Sequence, residues 1–255
     1  MSDVEQPHVL TNRFGDTTVA GDARDTCRCM ERPRRATRFH EDLQDTRAPG
    51  WLRLLVLIEQ AAADGRERFA PLTELSPQER RQVVTLPASI GMLTEVKHLV
   101  LYGGNLVRIP PQIGLMRSLE RFEPYTSYRL HWFPYELTRC SRLVASTVST
   151  RAVYGNHKTR LSFPRLAEPG SRPATAGPGV WGADEILTCG VCDQVLSGGA
   201  ARQVWISRAV GSDVLPLLVN ACSQACVEAL PKPAAHHVPS VHTGGPDVAQ
   251  PAPRR

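Results

Sequence analysis

No apolar stretch in this 255-residue chain approaches the roughly 20 residues needed to span a bilayer; the longest, residues 54–58, is far too short. Lysine is scarce: Lys97, Lys158 and Lys232 are the only ones among 30 basic residues. That arginine-heavy, alanine- and proline-rich usage is read first as the coding bias of a GC-rich genome. The start, Met1-Ser2-Asp3-Val4-Glu5, lacks the basic-then-apolar run of a secretory signal. The cytoplasm is therefore the expected compartment, where the seven cysteines stay reduced or bind metal. The 42% hydrophobic and 22% charged content excludes collagen-like, fully disordered and disulfide-dense classes. Catalytic signatures are missing too: no phosphate-binding G-x-x-x-x-G-K-[ST], G-x-G-x-x-G, H-E-x-x-H or G-x-S-x-G occurs. His98, His131 and His157 stand apart from any carboxylate or serine partner and are expected at the surface or in turns. A non-enzyme is expected.

Residues 1–48 mix Asp, Arg, Thr and Pro without an apolar period and are expected to be disordered, with Cys27 and Cys29 as incidental thiols. A helical cap is expected over 49–85. Its first helix carries Leu52, Leu55 and Ile58 and stops at Asp64-Gly65. The second opens at Ser76-Pro77-Gln78-Glu79, a capping box with proline at the first helical position.

An internal repeat follows. Leu86-Pro87-Ala88-Ser89-Ile90-Gly91 returns 23 residues later as Ile109-Pro110-Pro111-Gln112-Ile113-Gly114. After 24 more it returns as Phe133-Pro134-Tyr135-Glu136-Leu137. The apolar comb repeats as well: Leu93, Val96, Leu99 and Leu101, then Met116, Leu119 and Phe122, then Cys140, Leu143 and Val148. Pro124 and Ser146 break it, and Phe163-Pro164-Arg165-Leu166 is a fourth start at irregular spacing. A unit this short cannot bury its apolar side alone, so neighbours must stack. Residues 84–166 resemble the leucine-rich repeat family. The resemblance implies exposed side chains between the apolar strand positions: Lys97, His98, Val100 and Tyr102 in the first copy, Glu120, Arg121, Glu123 and Tyr125 in the second. Tyr102 and Tyr125, one period apart, form either an aromatic anchor for a protein partner or a mutual packing pair.

Residues 167–179 are a Pro/Gly linker by composition, and 232–255 a disordered tail. Between them, Cys189-Gly190-Val191-Cys192 and Cys222-Ser223-Gln224-Ala225-Cys226 have the spacing of a four-thiolate zinc site. Strands are expected at 202–210 and 214–219 around Gly211-Ser212-Asp213, and a helix at 223–230. Knuckle, hairpin and ligand-bearing helix over 180–231 resemble a treble-clef zinc finger, which implies a structural Zn2+.

The expected fold is thus α/β: a short leucine-rich-repeat solenoid capped by N-terminal helices, plus a small α+β zinc-binding module. The expected function is a non-catalytic protein–protein interaction module with an unidentified protein partner and no membrane association. Two alternatives stand beside it. Eleven Arg and Lys between residues 108 and 172 would suit nucleic acid. A ubiquitin-ligase-like repeat enzyme would need a catalytic cysteine, for which only Cys27, Cys29 and Cys140 remain.

Overall fold

The computed structural model describes residues 10–11, 26–27, 37–40, 42–159, 161–166, 188–196 and 201–250. The expected 167–179 linker lies outside them. Helix α1 spans Pro49–Asp64 and ends on Gly65, whose φ of 64° is the left-handed conformation glycine adopts without strain. It buries Trp51, Leu54, Leu57, Ile58 and Ala61, a face offset from the expected one, since Leu52 is exposed. Helix α2, Pro77–Gln82, has the expected capping box: Glu79 N donates to Ser76 Oγ, and Ser76 N to the Glu79 carboxylate.

Strands β1 (Leu10–Thr11) and β2 (Thr26–Cys27) pair antiparallel. Strands β3 (Arg68–Phe69), β4 (His98–Val100) and β5 (Arg121–Glu123) belong to one four-stranded sheet. Its fourth strand, Ala145–Ser146, is β7, and all its pairings are parallel. Leu99 registers with Phe122 and Phe122 with Ser146, the offsets of the sequence repeat. The three starts each form a 3-10 turn, at Ala88–Met92, Pro111–Leu115 and Tyr135–Arg139. Each copy then hangs from its predecessor: Glu120 and Arg121 N–H donate to Lys97 O, and Val144 and Ala145 N–H to Glu120 O. The comb is buried throughout except at Leu143, which is half-buried.

A second sheet joins β6 (Phe133–Pro134), β9 (Asp213–Ala221) and β8 (Arg202–Val210). Here the expected architecture needs correction. The described chain is a mixed α/β body of a parallel sheet, a smaller mixed sheet and three α-helices, not a capped solenoid with a separate module. The β8–β9 hairpin cannot stand alone because both of its faces are apolar. Val204, Ile206, Leu215, Leu217 and Val219 join the core that contains Leu54, Leu99 and Phe122. Trp205 and Leu218 point the other way, into a second core with Trp132, Tyr154, Phe163 and Val238. Phe163 and Leu166 belong to that core, and residues 163–166 form no fourth repeat strand.

Ser146, the break in the comb, marks where the hairpin docks. Its Oγ lies 2.9 Å from both Val210 O and Asp213 Oδ2 and accepts from Asp213 N at 3.1 Å. Gly211 is required in that turn: its φ is 59°, and a Cβ would sit 2.9 Å from the backbone of Ala145 and Ser146.

Neither expected tail holds over its described part. Phe39 stacks on Trp205 at 5.6 Å and meets Trp132 edge-on, a contact that one aromatic outside any periodic run could not announce. Buried Arg108 donates to the carbonyls of His40 and Asp42, and Arg129 pairs with the Asp42 carboxylate at 2.5 Å. At the other end, Trp205 and His242 exchange backbone hydrogen bonds at 2.8 and 3.2 Å. His242 packs edge-on against Phe163 and accepts from Gly244 N, and burial pushes its pKa down from 6.5 to about 4. Above pH 6.5 this costs nothing. As pH falls from 6.5 towards 4 the unfolded chain takes up a proton that the folded chain refuses, so stability is lost across that window. The expected loss is about 1–2 kcal/mol after discounting for solvent screening. His242→Asn, which keeps an acceptor for Gly244, should unfold at lower pH than the parent in an acid titration. Coincident titrations would show that His242 protonates freely.

Candidate metal centre

The four cysteines converge. Cys189 and Cys192 lie in a turn whose return is made by Asp193, at a left-handed φ of 63°, with Cys189 N donating to Gln194 O at 2.8 Å. Cys222 follows the last residue of β9, and Cys226 sits on α3 (Gln224–Glu228), where Ser223 Oγ caps its N–H at 3.2 Å. Knuckle and hairpin are tied together by Gly190 N–H to Asn220 O at 2.8 Å. Arg139 of the third copy adds a bond to Gly190 O at 2.9 Å and an ion pair with Asp193 at 2.7 Å.

All four sulfurs lie within 4.8 Å of one another, and Cys222 Sγ is 3.5 Å from the sulfurs of both Cys192 and Cys226. Those separations far exceed a disulfide bond of about 2.05 Å. A tetrahedron with metal–sulfur bonds of about 2.3 Å has edges of about 3.8 Å, close to what is observed. The group can hold a metal ion. Its electrostatics suit one. Burial opposes ionisation of Cys189, yet the backbone N–H groups of Cys192, Val191 and Cys222 outweigh it and bring the thiol down to about 7. Cys192 accepts from Gln194 N–H, but its thiol neighbours, Cys222 foremost, hold it up at about 12. A bound cation reverses that reluctance, because a coordinated thiol is deprotonated.

The residues expected on an exposed face are placed less uniformly. Tyr102 and Tyr125 stack at 5.9 Å with 22° between rings, and they are 42% and 40% exposed. Arg121 is exposed, Lys97 pairs with Glu67, and His98 Nε2 lies 3.1 Å from Glu123 Oε1. Val100 is buried and cannot present its side chain to a partner, a correction to the expectation.

Cys140 is buried, and desolvation raises its thiol to about 11, which makes it a poor nucleophile. Sequence reasoning missed His131, which is buried rather than in a surface turn, and Cys27, which is buried beside it at 3.2 Å. Their sequence separation of 104 residues left no local spacing to read. No family model matches this sequence, and no curated protein matches it.

Proposed function

We propose that this chain is a non-catalytic protein-interaction protein built on leucine-rich repeats, with a structural zinc ion held by Cys189, Cys192, Cys222 and Cys226. The observation carrying the interaction reading is the exposed Tyr102–Tyr125 stack, in the turns that follow successive strands β4 and β5 of the parallel sheet. A paired aromatic platform offers a partner large, rigid contact area at low entropic cost. The flanking exposed Arg121 and half-buried Glu123 supply a polar rim.

Zinc is favoured by the all-sulfur set and its tetrahedral spacing. Four thiolates leave no position for water, so the ion serves the fold and not a reaction. The order of knuckle, hairpin and ligand-bearing helix supports the treble-clef resemblance. The nucleic-acid reading loses ground because Arg108 and Arg129 are buried, while Arg139 and Arg165 pair with Asp193 and Asp247.

The test is a Tyr102→Ala/Tyr125→Ala variant. It should keep the parent's circular dichroism and melt within about 1 kcal/mol, as half-exposed substitutions do. In a quantitative pull-down it should lose the protein that the parent retains, by tenfold or more. Equal recovery of the same protein would place the interface elsewhere.

A further inference from the structure

We propose that Cys27, His40 and His131 form a second metal site, for a divalent cation of the zinc type, which clamps the N-terminal segment to the end of the repeat region. Three donor atoms meet there from distant parts of the chain. Cys27 Sγ is 3.2 Å from His131 Nε2 and 3.5 Å from His40 Nε2, and the two Nε2 atoms are 3.1 Å apart. Zinc–nitrogen bonds of about 2.05 Å and a zinc–sulfur bond of about 2.3 Å give tetrahedral edges of about 3.3 Å and 3.5 Å. The triangle has the size of one face of that tetrahedron.

One of the two rings is already set to present a lone pair to the cluster. His131 Nδ1 lies 2.5 Å from Ala152 O, and a carbonyl only accepts, so the ring proton sits on Nδ1. The Nε2 lone pair is thereby aimed at Cys27 and His40. A histidine fixed through its second nitrogen by a backbone carbonyl is the usual outer-shell arrangement of a metal ligand. The His40 and His131 rings stack at 5.0 Å, which brings their Nε2 atoms together without turning either away. His40 is held in place because Arg108 binds its carbonyl. Arg129 Nη2 lies 3.4 Å from its Nδ1, and a cation bound through Nε2 moves the ring proton to Nδ1 and opens that contact. The Asp42 carboxylate, 2.5 Å from Arg129, offsets that positive charge.

Burial argues against a catalytic thiol–imidazole pair, because Cys27 and His131 are 0% and 1% exposed and no substrate reaches them. It suits a structural ion whose fourth coordination position is left to water. The clamp would close a loop of 104 residues between Cys27 and His131. It would also hold Phe39, the neighbour of His40, in the second apolar core.

The full-length protein, purified from zinc-supplemented medium, provides the test. Two zinc ions per chain are expected, with an X-ray absorption first shell that mixes sulfur and nitrogen. His131→Ala should lose one equivalent and leave a sulfur-only shell; Cys222→Ser should lose the other and leave the mixed shell. One equivalent with a sulfur-only shell in the parent protein overturns the proposal, and that measurement does not depend on any variant folding. Two equivalents surviving in His131→Ala would overturn it as well. Failure of the four-cysteine reading looks different: a single equivalent whose shell contains nitrogen.

Discussion

If the four-cysteine centre holds the proposed zinc ion, removing it by Cys222→Ser should lower the unfolding midpoint of the whole body in one transition. In a free zinc finger the metal supplies most of the folding free energy, about 10–16 kcal/mol in isolated peptides. Here much of that segment is held without it. The β9 strand pairs with β6 at Leu217 and Leu218, and its apolar face is continuous with the core under the parallel sheet. The expected loss is therefore several kcal/mol, well short of the peptide value. For a body of this size about 3 kcal/mol corresponds to roughly 6–12 °C in midpoint.

The release should not remain local, because the ligands are fastened to load-sharing elements. Cys222 follows directly on β9, and Asn220 just before it accepts from Gly190 of the knuckle. Arg139 binds the knuckle from the third copy. Loosening the knuckle loosens the end of β9, and β9 is the central strand of its sheet. Tryptophan fluorescence, to which Trp132 and Trp205 of the second core contribute beside Trp51 of α1 and Trp181, should change together with the far-ultraviolet signal. Two resolved transitions, with the repeat region melting at its original midpoint, would show a separate module after all.

How far the sequence could be read depends on how local each cause is. The capping box at Ser76 and Glu79, the stop at Gly65 and the 23-residue register of Leu99 with Phe122 are set by spacing within or between adjacent units. The convergence of the four cysteines was legible for the same reason, as two close pairs on a turn and a helix start. The docking of the hairpin was not legible. Alternation along β8 and β9 shows two buried faces only once it is known that an apolar core waits on each side. Ser146 reads as a defect of the comb until its hydroxyl is seen against Val210 and Asp213. Cys27, His40 and His131 share no period and no motif; only the folded chain brings them together.

The most damaging single change should be Leu99→Asp. Leu99 is fully buried in β4, registered between Phe69 of β3 and Phe122 of β5. Truncating such a leucine to alanine costs about 2–5 kcal/mol through lost burial and the cavity left behind. Aspartate adds the burial of a carboxylate among phenylalanine and leucine side chains, where it must stay protonated or disrupt the strand. Domains of this kind have only about 5–15 kcal/mol of stability in total. The variant should thus lose its cooperative thermal transition. Val144→Asp is the control: Val144 lies in the third copy but is 73% exposed, and a surface change of this sort stays within about 0.5 kcal/mol. A cooperative melt of Leu99→Asp at the parent midpoint would mean that the comb does not form the core, since no exposed register of β4 keeps Leu99 between two phenylalanines.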